Sequence, residues 1–458
     1  MYKKGVDTVA AVSTPSGKAA LSLIRLSGPE SFTIIDRIFK KGGKKSFPLP
    51  YSAYYGSIID PENDSVVDKV VLTSFVAPHS YTGENVAEIA CHGNPVLVSK
   101  ILAILFKIGV RPAEPGEFTR RAFMNGKLDL LEVEATAQLL SATSMTQARL
   151  ALNQLDGMPS QLVASFREKI IHHLVQLEAS LNFPEDAIEA IDEHRLGHDL
   201  KQIRSELKLF VESARQGGIV AGGLKIALVG RPNSGKSSLM NYMLGKDRAI
   251  VTEIAGTTRD TLEECMQIGS IPVKIIDTAG LRDPGDRVEA IGIERTRRAV
   301  DEAFALVGVF DGSQPETIED RVVLNELMKQ NKPFICVRNK IDLPQRLDAD
   351  FLAECIGVGI SALNGTGLAS LVDELKILIE KSGFENFEKM VVLGAQQQVA
   401  LEKALAAVDR ACEGIGIIYQ DMLAIELEEA VRELGRVNGE TVDLNTLDLI
   451  FERFCIGK

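Results

Sequence analysis

The 458 residues include no tryptophan, and aromatic side chains make up only 5% of them. No RRM-type aromatic signature and no basic C-terminal domain stands out, which counts against an RNA-binding appendage. No apolar stretch is long enough to span a bilayer. The start, MYKKGVDTVAAVSTP, has lysines but no sustained apolar core before a cleavage site, so a secretory signal is not expected and a cytoplasmic protein is. The six cysteines (Cys91, Cys265, Cys336, Cys355, Cys412 and Cys455) form no C-x-x-C pair and no cluster at zinc spacing. That excludes a disulfide framework and a structural metal as expectations, and suits a reducing compartment. A positive excess is missing as well: the net charge of −12 discourages indiscriminate binding to nucleic acid, so RNA contact must come from a local patch or a partner protein. Internal repeats and low-complexity tracts are also absent.

What is present is length enough for two to four domains and three changes of texture. The first stretch is mixed α/β: KVVLTSFV (Lys69–Val76) and NVAEIACHG (Asn85–Gly93) read as strands, and PVLVSKILAILFKIG as a buried helix. From Arg120 to Gln216 apolar residues recur at three- and four-residue intervals, as in LLEVEATAQLLSATSMTQARLALNQL, which predicts helices. RQGGIVAGG (Arg215–Gly223) reads as a linker. From Leu224 to Ser382 the apolar runs KIALVG, VKIIDTAG, FALVGVFDG, PFICVRNK and GVGISA alternate with helical segments, the rhythm of a largely parallel, helix-covered sheet. The chain then turns helical again. The expected divisions are 1–118 (α/β), 119–218 (helical), 219–382 (a Ras-like P-loop α/β domain inserted into the helical one) and 383–458 (helical).

GRPNSGKSS follows the strand KIALV and precedes the helical SLMNYML. Strand, glycine-rich turn and helix together make the context a P-loop requires. Backbone N–H groups from Asn233, Ser234 and Gly235 to Ser238 face phosphates there. Lys236 reaches the β- and γ-phosphates, and the Ser237 hydroxyl ligates Mg²⁺. NKID supplies base choice. Asp342 accepts from guanine N1–H and its exocyclic amine, a donor pair adenine does not have. Asn339 and Lys340 brace the loop and cover the ring, and Ser361–Ala362 offers a backbone N–H to guanine O6. In DTAG, Asp277 supports Mg²⁺ through water, and Thr278, Ala279 and Gly280 lead to the γ-phosphate. Upstream, Thr252, Glu253, Ile254 and Ala255 join the expected GTP-binding set, and GTTRD (Gly256–Asp260) offers Thr257 and Thr258 for the second Mg²⁺ contact, of which alignment with the GTPase pattern favours Thr258. This order of motifs predicts a GTP-binding and GTP-hydrolysing protein.

Leu281 stands where many such proteins place a glutamine, and it has no polar group with which to orient water. The acidic residues that follow, Asp283, Asp286, Glu289 and Glu294, are the candidates, and chemistry alone does not choose among them.

The G-domain motifs, with IVTEIAGTTRD and DTAGLR…VEAIGIER, together with GEFTRRAFMNGKLDL (Gly116–Leu130) and CIGK (Cys455–Lys458), resemble the tRNA-modifying GTPase family called MnmE or TrmE, over essentially the whole chain. The resemblance implies that Glu289 positions the attacking water. It implies that the Asn233 side chain binds K⁺ with the backbone carbonyls of Thr252 and Ile254 and with Thr257. The ion then takes the place of an arginine finger when two G domains of a homodimer meet. It implies an N-terminal folate-binding and dimerisation domain that holds a 5-formyl or 5,10-methylene tetrahydrofolate through Arg25, Glu88, Lys127 and Lys458. It further implies work with a flavin-dependent MnmG/GidA-type partner (an FAD protein) on C5 of the wobble uridine of certain tRNAs, installing an aminomethyl or carboxymethylaminomethyl group.

Three features stay outside that scheme: Cys455 beside Lys458 as a nucleophile, His92 as a general base, and KKGGKK (Lys40–Lys45) as a tRNA phosphate contact. A switch GTPase of ribosome assembly is the alternative reading. GKLDL and CIGK have no task in it.

Overall fold

The computed structural model describes residues 7–41, 51–182, 192–246, 265–269, 271–277, 299–348, 350–353, 355–382, 390–441, 451, 454 and 457. The strands, in chain order, are β1 (Val9–Val12), β2 (Leu21–Ser27), β3 (Phe39–Lys40), β4 (Ala53–Ile59), β5 (Val66–Phe75), β6 (Val86–His92), β7 (Arg111–Pro112), β8 (Leu224–Val229), β9 (Cys265–Ile268), β10 (Ile271–Asp277), β11 (Ala305–Asp311), β12 (Phe334–Asn339) and β13 (Gly357–Gly359). The helices are α1 (Ser31–Ile38), α2 (Pro95–Lys107), α3 (Glu117–Met124), α4 (Leu130–Ser141), α5 (Met145–Leu155), α6 (Met158–Asn182), α7 (Glu193–Gly222), α8 (Lys236–Lys246), α9 (Ile318–Lys329), α10 (Leu368–Lys381), α11 (Ala395–Gly414) and α12 (Gln420–Asn438). Contacts divide the chain into two units: Met1–Ala137 with Gly157–Arg204 and Val399–Lys458, and Gln138–Asp156 with Ser205–Gln398.

The first unit carries a seven-stranded sheet in the order β3-β4-β5-β6-β2-β1-β7. Its pairings are antiparallel except β1 with β7. Strand residues alternate between a buried and a less buried face, as a half-covered sheet requires. Helices α1 and α2 cover one face, with Ile34, Ile35, Ile38, Ile101, Ile104 and Leu105 closing on Ile24, Leu72 and Ile89. The buried helix expected over PVLVSKILAILFKIG is present as α2 but is buried along one side only, and Val96 is 75% exposed. Asn94 caps the helix by accepting from the Val96 N–H at 2.9 Å, with Pro95 at its first position. Elsewhere in this unit α6 and α12 pack side by side. Ser180 Oγ donates to Gln420 and Asn438 Nδ2 to the Ser160 carbonyl, so the two helices run antiparallel.

The second unit is built on a six-stranded sheet in the order β13-β12-β11-β8-β10-β9, parallel throughout save for β9 against β10. Every residue of β11 is buried, as expected of a central parallel strand covered on both faces. Leu239, Met243, Leu371, Leu375 and Ile379 of α8 and α10 pack in one core cluster. Leu327 of α9 packs in the other, with Phe310 and Leu352. Leu150 of α5 joins the first cluster, together with Val220 and Val392.

The linker expected at Arg215–Gly223 is corrected too, because α7 continues to Gly222. A Cβ at Gly217 would lie 2.0 Å from the Val391 carbonyl oxygen. The glycine lets a neighbouring backbone run against the helix and does not break it.

Candidate functional site

The site grows from the C-terminal ends of β8, β10, β11 and β12, where an open parallel sheet forms its binding crevice. Strand β8 ends at Val229, the turn Gly230–Gly235 follows, and α8 begins at Lys236. Asn233 takes a left-handed conformation (φ 62°) and Gly235 another (φ 97°), so the turn folds back over the helix N-terminus. Lys236, 4% exposed, donates from Nζ to the carbonyls of Gly230 and Arg231 at 2.7 and 2.8 Å. Ser237 Oγ donates to Asp277 Oδ2 at 2.6 Å, so the hydroxyl and carboxylate expected around Mg²⁺ converge from α8 and β10. Asn233, Ser237 and Ser238 face solvent, whereas Ser234 is buried.

Asn339 ties the base side to the phosphate side. Its Nδ2 donates to the Ser234 carbonyl at 2.9 Å. Its Oδ1 accepts from the N–H groups of Lys340 and Ala362 at 2.8 and 3.0 Å. The residue is 1% exposed, so its amide has no competing water and acts as a three-way brace. Lys340, itself at φ 65°, donates from Nζ to the Asn233 carbonyl at 3.0 Å and to Asp311 Oδ2 at 2.7 Å. Burial works against the Asp311 charge, but Lys340 and Ser313 outweigh it and hold its pKa below the usual carboxylate value. Asp342 is exposed beside this brace, and Ser361 and Ala362 are buried. Thr252, Glu253, Ile254, Ala255, Gly256, Thr257, Thr258, Thr278, Ala279, Gly280 and Glu289 lie outside the described residues.

A second constellation lies in the first unit. Arg25 of β2 and Glu88 of β6 are direct cross-strand partners. The Arg25 guanidinium meets Glu88 Oε1 at 2.9 Å through Nε and 2.8 Å through Nη2. It also stacks on Tyr81 and Phe118, 5.4 and 5.6 Å from their ring centres. Lys127 is exposed and lies over Gly83, two residues beyond Tyr81. Lys458 lies outside the described residues, as does Cys455. The carbonyl of Gly457 accepts from Ser13 Oγ at 3.0 Å, just beyond β1, which pairs with β2. Arg25, Glu88 and Lys127 thus gather around the loop 81–84. His92 Nδ1 hydrogen-bonds Asp68 at 2.7 Å, and its exposed ring is anchored by a buried carboxylate.

Arg121 is the residue that sequence reasoning missed. It is fully buried and donates to Glu117 Oε1, Glu84 Oε2 and Asp7 Oδ1 at 2.8, 3.0 and 2.9 Å. Burial alone would raise the pKa values of Asp7 and Glu117, yet their bonds to Arg111 and Arg121 leave both lowered. The cluster pins Glu84, and with it the loop beneath Arg25, to α3. The i, i+4 spacing of Glu117 and Arg121 was the available signal.

Strand, phosphate loop, helix, the Ser237–Asp277 pair and the asparagine brace define a P-loop GTPase. Two family models match the chain: "GTP-binding protein TrmE N-terminus" over residues 8–127 and "MnmE helical domain" over residues 130–455. The tRNA modification GTPase MnmE of Natranaerobius thermophilus is 40% identical over 457 residues, covering 99% of each chain. That of Lactiplantibacillus plantarum is 38% identical over 459 residues, covering 99% of this chain and 98% of its own. Among solved structures, an Aquifex aeolicus Era variant bound to GDP.AlF4- is 27% identical, covers 40% of this chain and 66% of its own, and has a TM-score of 0.28. The chain belongs to the MnmE (TrmE) family of tRNA modification GTPases, and it is a GTP-hydrolysing enzyme.

Proposed function

We propose that the protein couples potassium-dependent GTP hydrolysis to modification of C5 of the wobble uridine in certain tRNAs. It would act in the cytoplasm as a homodimer, with a flavin-dependent MnmG/GidA-type partner and a tetrahydrofolate one-carbon unit. The observation that carries the reading is the asparagine brace, which presents a phosphate loop and a guanine-recognition loop as one site. Lys236 and the N–H groups of the loop bind the phosphates, Asp342 selects guanine, and Ser361–Ala362 closes on O6. Ser237 with Thr258 fits Mg²⁺, as the hydroxyl already lies 2.6 Å from Asp277. Asn233, the carbonyls of Thr252 and Ile254, and Thr257 would supply neutral oxygens, a chemistry suited to K⁺. These two cations, when bound, neutralise charge that develops between the β- and γ-phosphates. Glu289 positions water in place of the glutamine that Leu281 replaces. The Arg25–Glu88 pair suits a reduced folate: Glu88 has a second oxygen for the pterin N–H edge, and Lys127 and Lys458 suit the glutamate tail. The four divisions at 118, 218 and 382 remain the proposed domain plan.

The sheet of the first unit supports the dimer. Tyr55, Val71, Ala90 and Leu23 form one cross-strand row on the face away from α1 and α2. Tyr55 is 67% and Val71 40% exposed. A row of this kind suits a second copy related by a two-fold axis. The test is a deletion strain complemented by wild type or by Glu289→Ala. The variant retains GTP binding, loses at least about 100-fold in turnover, and leaves the wobble uridine unmodified on nucleoside analysis. Unchanged turnover, or unchanged tRNA in the strain without the protein, defeats the proposal.

A further inference from the structure

Behind the nucleotide loops runs a row of alternating charges in which Arg231 and Lys340 of the motifs meet two carboxylates, Asp311 and Asp320, that lie outside them. Arg231 of the phosphate loop points at Asp320, with Nε 3.2 Å from Oδ1. Asp320 is the third residue of α9 and half of its capping box with Thr317. Arg231 Nη2 lies 3.9 Å from Asp311 Oδ2, the same oxygen that accepts from Lys340 Nζ at 2.7 Å. Asp311 ends β11 and is 7% exposed. Its other oxygen is aimed by Ser313, which donates to Oδ1 from N at 3.0 Å and from Oγ at 2.6 Å. The Lys340 ammonium is therefore tethered at two points, to Asp311 and to the carbonyl of Asn233.

Asn233 and Lys340 are two of the four non-glycine residues with positive φ among the described residues. Asparagine tolerates this conformation, but a lysine leaves it unless something holds it. A single hydrogen bond joins them, and the carboxylate of Asp311 aims its donor. Asp311 also separates two cations, Arg231 and Lys340, that would otherwise face each other with no anion between them. We propose that Asp311 is a positioning residue for guanine-nucleotide binding. It holds the Lys340 ammonium against the Asn233 carbonyl, so that the phosphate loop and the base-recognition loop meet the nucleotide already fixed to each other. Asp311 itself does not touch the nucleotide. Its effect is on the cost of ordering the two loops, which a bound ligand otherwise bears.

The test is a double-mutant cycle on the full chain, read by titration with fluorescently labelled GDP. Asp311→Asn weakens GDP binding about tenfold, mostly through faster dissociation. Lys340→Met weakens it as well, and Asp311→Asn adds nothing further in that background, because the carboxylate acts only through the ammonium. A purely structural role gives a different pattern: a lower thermal midpoint of the nucleotide-free protein with GDP affinity within about twofold of wild type. That pattern overturns the proposal, as do losses that add independently in the double variant. Ser313→Ala removes the hydroxyl that aims the carboxylate and leaves its charge, so it provides the reading if Asp311→Asn does not fold. An affinity loss of about threefold that vanishes in the Lys340→Met background supports the proposal, and no loss overturns it.

Discussion

The Asn339 side chain occupies the space that any Cβ at position 235 would need: it would lie 2.1 Å from Nδ2. Gly235 also sits at φ 97°, where a side chain is strained whatever the space. Gly235→Ala therefore displaces the brace and with it the N–H of Ala362. The expected result is at least about 100-fold weaker GDP binding in a labelled-nucleotide titration, since three hydrogen bonds of the buried Asn339 side chain lose their geometry together. Affinity within tenfold of wild type would show that the brace tolerates displacement. At this scale the motif letters were legible because P-loop chemistry fixes residue type at fixed spacing. Arg231, Asp311 and Asp320 were not, because their partners come from three separate elements that only the folded sheet brings together. Arg121 was obscure too: Arg120 stands i, i+3 from Glu117 and Arg121 i, i+4, both spacings that allow a pair, and burial is what decides between them.

Helix α7 shows where element-scale reading fails. Two adjacent glycines, Gly217 and Gly218, imitate a linker by composition, but close packing is an equally good reason for a glycine and leaves the same letters. Gly217→Ala drives a methyl group into the Val391 carbonyl. Overpacking of this kind costs about 1–3 kcal/mol, to be read as a lower urea midpoint with unchanged m-value. An undiminished midpoint would mean that residues 390–393 move aside freely. Strands were legible, since KIALVG, VKIIDTAG, FALVGVFDG, PFICVRNK and GVGISA each overlap an observed strand. Buried parallel strands announce themselves as continuous apolar runs. The apolar run of α2 misled in the opposite direction: Val96 carries apolar character on a face turned to solvent.

For the molecule as a whole, the row Tyr55–Val71–Ala90–Leu23 makes the proposed dimer testable without touching the nucleotide site. Val71→Lys places a charge at the middle of that row. It should convert dimer to monomer in light scattering, and with it remove the faster turnover expected in potassium over sodium buffer at equal ionic strength. A monomer that keeps its potassium response would separate the ion from dimerisation, and a variant that stays dimeric would move the interface elsewhere. Composition and texture had announced a multidomain α/β and helical chain. They could not announce that Gln138–Asp156 belongs with Ser205–Gln398, because amphipathic periodicity says which face of a helix is greasy and nothing of which sheet it seeks.

That last assignment has a practical corollary for anyone trimming the gene. Leu150 of α5 is 1% exposed within the core cluster that also contains Val220 and Val392, and Gln147 Nε2 donates to the Ala221 carbonyl at 2.8 Å. An excised fragment confined to 219–382 would keep Val220 and Ala221 but shed Leu150, Gln147 and Val392, which cover them. Kinetics recorded on such a fragment would describe a sheet with an uncorked flank, not the catalyst that the full polypeptide encodes.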